Sequence, residues 1–223
     1  MKKLWDLFDK ASDKCYKEIM QGKLDDKVWK ETYELLLEII EKEASKHQKG
    51  SWEFYMLDDE TDYEHDVEGW LEDYLDNLEE EEKHAEILQI CEKILEMFDW
   101  KEVSSSDFKI RIVFSLIAQK KGEEALAFSK KWYDEDKDDQ NAVQAYIRSK
   151  IEMKDMDGAK EILNKYIDEN TECCEENELL FQVALLVFKL EKNKTMQRRI
   201  EKKIHDYEEK IDNELLELDD FLF

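Results

Sequence analysis

The apolar residues of the C-terminal half return every 34 positions. Val113, Ile147 and Phe181 fall at one phase, Ile117, Ile151 and Leu185 at a second, Phe128, Ile162 and Met196 at a third, and Trp132, Tyr166 and Ile200 at a fourth. Ala125 and Ala159 share another phase, where two helices could approach closely, before Asn193 breaks it. Within each period the apolar positions step by three and four, the spacing of one helix face. A fixed period holding two helices predicts stacked helical hairpins, because a single hairpin cannot bury its apolar face and must lay it on the next. With a step of thirty-eight instead, Tyr74, Leu75, Leu78, Ile87, Ile90 and Ile94 carry the pattern one hairpin further upstream.

The same periodicity predicts ten helices, near residues 2–21, 25–48, 67–82, 84–99, 107–121, 123–136, 140–154, 157–170, 176–191 and 195–217. The chain has no proline, where average usage of about 5% would give roughly eleven, and only five glycines. Its segments must therefore end in polar turns. Gly22, Gly50 and Gly122 are expected to hold left-handed helix ends, and Ser104-Ser105-Ser106-Asp107 offers N-cap oxygens before an apolar run. Links this short make neighbouring helices antiparallel.

The segments QKKGEEALAFSKKWYDED (119–136) and KDMDGAKEILNKYIDEN (154–170) resemble the link and second helix of the tetratricopeptide repeat family, and the resemblance spans roughly residues 67–211. It departs at the usual small residue of the first helix, which is Val113, Ile147 or Phe181 here, and at the usual repeat-ending proline, which is absent. The resemblance implies an all-α fold, a right-handed αα-superhelix of antiparallel hairpins with about ten helices, and protein or peptide binding on the surface lined by the first helix of each pair. We expect one α-helical repeat domain over residues 1–223. It would comprise an N-terminal hairpin (1–50), an acidic and aromatic connector (51–66), the repeats (67–211) and an acidic C-terminal cap or tail (212–223).

Charge is placed unevenly. The chain carries a net −25, of which residues 51–100 supply −17, from nineteen acids against two lysines. Residues 51–82 hold fifteen acids and no Lys or Arg. Such a block repels nucleic acid and anionic membranes and attracts basic partners. The longest uncharged run, Leu179 to Phe188, is about half of what a bilayer-spanning helix needs. Asp6 and Asp9 interrupt the N-terminus before an apolar signal region can form. The expectation is a soluble, cytoplasmic protein. Its four cysteines, Cys15, Cys91, Cys173 and Cys174, contain no C-x-x-C pair and read as reduced thiols.

Chemistry is sparse. Asp62-x-x-His65 and Glu81-x-x-His84 have the three-residue step that puts a carboxylate and an imidazole on one helix face, but a block as acidic as 51–82 produces such spacings by chance. Arg198 and Arg199 precede His205 at a spacing that resembles the Arg…His motif of helical HEPN-type ribonucleases, although Ile200 stands where that family has a polar residue. There is no phosphate loop or nucleophile elbow. We expect no cofactor, no metal and no catalysis.

Three readings remain. The first is a scaffold for a protein or peptide, a basic one, without direct nucleic-acid or membrane binding. The second is an acidic nucleic-acid mimic that occupies the channel of a basic enzyme, and the third is a helical ribonuclease. The stretch WEFYMLDDETDYEHD (52–66) fits no repeat phase. Its aromatic residues either enter a core or, as Trp52, Phe54, Tyr55 and Tyr63 with Trp70, form an acid-ringed patch for a partner. In the tail, Leu218, Phe221, Leu222 and Phe223 are expected to cap the last repeat or to form a helical motif that docks in another protein's groove.

Overall fold

A computed structural model describes residues 1–22 and 26–222, with side chains through residue 214. The expected cap formed by Leu218, Phe221, Leu222 and Phe223 lies outside the described side chains. Among the described residues there are eleven α-helices and no strand. The chain divides into two compact units, residues 1–108 and 109–223, with the boundary inside α6.

The first unit holds α1 (Lys2–Met20), α2 (Asp26–Ala44), a single turn α3 (Met56–Asp59), α4 (Val67–Glu80) and α5 (His84–Met97). Aromatic rings fill its centre. Trp29 stacks on Trp70 with centroids 5.5 Å apart, Phe8 meets Trp70 edge-on at 5.5 Å, and Trp29 stacks on Tyr74 at 5.6 Å. Each ring removes a large apolar area from water and each such pair adds about 0.5–1.5 kcal/mol beyond area. Cys15 and Thr32 are fully buried where α1 meets α2, and the Thr32 hydroxyl donates to the Val28 carbonyl at 2.8 Å, which satisfies it.

The second unit holds the remainder of α6 (Ser106–Ala118), then α7 (Gly122–Glu135), α8 (Gln140–Glu152), α9 (Met156–Leu163), a 3₁₀ turn at Glu175–Asn177, α10 (Glu178–Leu190) and α11 (Lys194–Leu222). The repeat phases form its interior. Val113, Ile147 and Phe181 are completely buried, Trp132 and Ile200 nearly so, and Ala125 and Ala159 completely. The second phase, Ile117, Ile151 and Leu185, is half-buried. Between α7 and α8 the small residues Ala125, Ser129, Ala145 and Ser149 allow close approach. The Ser129 and Ser149 hydroxyls meet at 3.0 Å, and Ser149 donates to the Ala145 carbonyl.

The repeat also appears in the backbone. Lys83, Lys121, Asp155 and Asn193 each donate a backbone N–H to the carbonyl five positions earlier, those of Leu78, Leu116, Lys150 and Phe188. The residue before each donor is left-handed: Glu82 at φ 56°, Lys120 at 62°, Lys154 at 65° and Lys192 at 59°. These are Schellman helix ends, and they recur at steps of thirty-eight, thirty-four and thirty-eight along the chain. Gly122 departs from the sequence expectation. It opens α7, and Lys120 takes the left-handed position. A Cβ at Gly122 would stand 2.9 Å from the sulfur of the exposed Met153, a side chain free to give way. Gly22 and Gly50 are left-handed as expected, at φ 66° and 86°.

Candidate interaction surface

The connector between α2 and α4 is held at both ends by side chains that close its hydrogen bonds. Trp52 and Asp99 exchange two: Asp99 donates its N–H to the Trp52 carbonyl at 2.6 Å, and Trp52 donates its own to the Asp99 carboxylate at 3.0 Å. The buried Glu53 carboxylate accepts the Lys101 N–H at 3.1 Å, and the Tyr55 hydroxyl donates to Glu102 at 3.1 Å. Phe54 sits among Phe98, Trp100 and Phe108, with centroids 5.3–5.9 Å away. Asp58 is buried and accepts the N–H groups of Val67 at 2.7 Å and Glu68 at 2.9 Å, the first two donors of α4. That helix therefore takes its cap from a residue nine positions away, while Asp66, in its own cap position, is left-handed with no side-chain cap.

Two histidines brace the same segment. His65 stacks on Trp5 with ring centroids 4.3 Å apart and planes 2° off parallel, and its Nδ1 lies 2.8 Å from an Asp9 oxygen. His47 stacks on Trp52 at 4.3 Å, with Glu60 at 3.4 Å from its Nε2. Asp62, Tyr63 and Asp66 all have positive φ, at 52°, 58° and 45°. Such a conformation costs a non-glycine residue on the order of 1–2 kcal/mol.

The five aromatic residues considered for partner contact separate. Trp52, Phe54 and Trp70 are 5%, 5% and 1% exposed, and their rings belong to the core because each has an aromatic neighbour to stack on. Tyr55 is half-buried, and Tyr63 is 68% exposed at the tip of the left-handed turn. Only Tyr63 and part of Tyr55 reach solvent. Thirteen of the fifteen acids of residues 51–82 are exposed, and Glu53 and Asp58 are the two that turn inward. Burial holds the Glu68 carboxyl above the usual carboxylate range, and the charges of Asp58, Glu72, Asp107 and Asp66 add to the shift. Beside the turn, Lys2, Trp5, Asp6, Glu60, Glu64 and His65 line a polar cleft of about 380 Å³.

In the second unit the half-buried Arg148 of α8 is a residue that sequence reasoning missed. Its guanidinium lies 5.0 Å from the centre of the Phe114 ring, its Nε is buried without a hydrogen-bond partner, and burial pulls its pKa down. Among the described residues no carboxylate pairs with it. The signal was present in the register, for Arg148 follows Phe114 by one full repeat, on the flank of the fully buried Val113 and Ile147 phase.

Several of the residues considered for chemistry make structural contacts. Asp62 lies outside any helix, and His65 turns to Asp9 and Trp5. Glu81 pairs with Lys83 at 2.6 Å. Among the described residues no group of three His, Cys, Asp or Glu side chains could hold a metal. Arg199 donates to the Glu169 carbonyl at 2.7 Å, while His205 is exposed beside Glu209. Their spacing on one helix sets these two side chains about 120° apart around its axis, whereas the exposed Arg198, seven positions before His205, lies within about 20° of it. None of the four cysteines is in a disulfide. Burial pushes the Cys173 thiol up to about 11, away from a reactive thiolate.

No described helix is long and apolar enough to cross a membrane. No curated protein and no solved structure matches the chain. Residues 116–176 match the family model described as tetratricopeptide repeat. That span runs from the end of α6 through α7, α8 and α9 to the 3₁₀ turn and contains two of the four recurring Schellman turns. Over that span and the helices that follow it the repeat register is buried as one core, so this part of the chain is similar to the stacked helical hairpins of tetratricopeptide repeats.

Proposed function

We propose that this chain is a non-catalytic scaffold that binds a protein or peptide, and that its partner is basic. The carrying observation is the tetratricopeptide-like hairpin array at residues 116–176, a class of fold whose regular surface suits an extended polypeptide. The recurring turn at Glu82 supports counting α4 and α5 with the repeats, within residues 67–211. Basicity of the partner rests on the thirteen exposed acids of residues 51–82, which no Lys or Arg of that segment offsets. Exposed charges of this kind steer encounter and choose among partners more than they hold them.

Within this reading Tyr63 and the outer part of Tyr55 supply aromatic contact, and Trp52, Phe54 and Trp70 hold the turn in place. A tyrosine displayed on a left-handed backbone is the kind of local cost that persists where a side chain must be presented. Four cysteines outside any disulfide support a reducing compartment, and we place the protein in the cytoplasm.

Affinity purification of the tagged chain from its own cells at several salt concentrations tests the proposal. A basic protein should be recovered reproducibly, less of it as salt rises, and less with Tyr63→Ser. Failure to recover any protein reproducibly would sink the scaffold reading. Recovery of a nucleic-acid enzyme that DNA or RNA displaces would replace it with the mimic.

A further inference from the structure

The first unit carries a lysine-lined groove as well as its acidic segment. Between α2 and the α4–α5 hairpin lie two adjoining clefts of about 290 Å³ each, which share Lys30, Tyr74 and Glu86. Together they form one groove lined by four lysines and two carboxylates, in a chain of net charge −25. Lys83 is already held by Asp26 and Glu81. Lys30 and Lys93 are exposed, and among the described residues neither has a carboxylate within ion-pair distance. The floor is apolar, with Tyr33, Tyr74, Leu78 and Ile90 all buried. The Tyr33 hydroxyl is buried there without a hydrogen-bond partner, an arrangement that costs about 1–3 kcal/mol unless something answers it.

The chain also contains a segment of the complementary chemistry. Helix α11 continues to Leu222, but its last side chain that is not fully exposed among the described residues is Tyr207. Residues 208–214 are exposed, Ile211 among them at 36%. The sequence then spaces Ile211, Leu215, Leu218 and Leu222 at steps of four, three and four, the interval of one helix face. Asp212, Glu214, Glu217, Asp219 and Asp220 are interspersed with them, and residues 204–223 hold eight acids against one lysine. An apolar stripe flanked by carboxylates is the helix-in-groove ligand that an apolar floor with a lysine rim would take.

We propose that the groove between α2 and the α4–α5 hairpin receives the acidic C-terminal segment, residues 211–223, of a second copy of this chain. The apolar stripe covers the Tyr33, Tyr74 and Ile90 floor, and the carboxylates meet Lys30 and Lys93. A nucleic acid would also meet lysines here, but its continuous phosphate charge would face the exposed acids of residues 51–82, whereas a short segment with spaced carboxylates senses the local lysines within the Debye length of about 8 Å at physiological salt. The inference does not depend on the repeat reading, since the groove lies wholly in residues 26–93.

Sedimentation of the full chain from about 1 to 200 μM in 0.15 M salt tests it, with a labelled synthetic peptide IDNELLELDDFLF as the probe. The expected result is concentration-dependent self-association that the double variant Lys30→Glu/Lys93→Glu weakens at least tenfold. Leu218→Glu should weaken it similarly, and the free peptide should bind the full chain and dissociate the assembly. Lys49→Glu/Lys109→Glu changes the net charge equally outside the groove and should leave association within about twofold of the original. A chain that stays monomeric throughout overturns the proposal even if the peptide binds, and so does self-association that the groove variants leave unchanged. Circular dichroism of each variant separates a lost contact from a lost fold.

Discussion

The carboxylate of Asp58 sits 2.7 Å from the N–H of Val67 and caps a helix that begins nine positions further along the chain. It also accepts from Glu68, and the Asp58 carbonyl accepts the N–H of Tyr63, so one buried residue closes the turn that displays the exposed tyrosine.

Removing that cap should be felt both in stability and at the turn. Asp58→Ala strands two buried or part-buried donors and should cost about 3 kcal/mol, the lower end for two hydrogen bonds to a charged acceptor at about 1.5–3 each. Asp58→Asn, which keeps one acceptor oxygen, should cost about 1 kcal/mol. Urea unfolding gives both values, and limited proteolysis should show new cleavage near residues 60–66 in the alanine variant.

The left-handed turns predict the opposite sign. Lys120, Lys154 and Lys192 occupy a conformation that glycine adopts freely. Replacing each by glycine should stabilise the chain by about 0.5–1 kcal/mol, the relief of side-chain strain less the greater entropy that glycine loses on folding. Because the three turns are separate, the gains should add within about 0.5 kcal/mol in the triple variant, as read by chemical denaturation.

Glu68 provides a test in pH. Its carboxyl titrates higher in the folded chain than in the unfolded one, through burial and through neighbouring acids. Between the ordinary and the raised pKa the folded state binds more protons, so this residue's contribution to stability falls as pH rises through that window. Glu68→Gln should therefore stabilise the chain at pH 7, by about 0.5 kcal/mol for an exposed residue among like charges. The gain should vanish below the ordinary carboxyl range, where both side chains are neutral. Thermal melts of the two proteins across pH 3–7 check the sign.

Arg148 gives a related prediction in the repeats. A partly buried guanidinium with no carboxylate is held against desolvation by little more than the Phe114 ring. Arg148→Met keeps the length and the contact with Phe114 while removing the charge, and should raise stability on the order of 1 kcal/mol. A loss of stability instead would show that an acceptor reaches Arg148 in solution.

The sequence by itself determined the helical class and most of the core. A fixed period whose apolar positions step by three and four can be satisfied only by paired helices that bury the same positions each time, and Val113, Ile147 and Phe181 have no exposed surface at all. Ten of the helices were legible for that reason. The single turn α3 was not, because so short a segment cannot show a period. Which residue would take the left-handed turn position was also closed to sequence reasoning. Gly122 has the right chemistry for it, but it already stands in the first turn of α7, and Lys120 takes the left-handed position.

The connector shows where tertiary structure alone decided. Its aromatic residues are equally apolar in sequence, yet Trp52 and Phe54 found rings to stack on and Tyr63 did not. Its acids are equally charged, yet Glu53 and Asp58 turned inward because backbone N–H groups waited there for an acceptor. Long-range pairing set both outcomes: Asp58 reaches Val67, Glu53 reaches Lys101 and His65 reaches Asp9, partners that no local pattern connects.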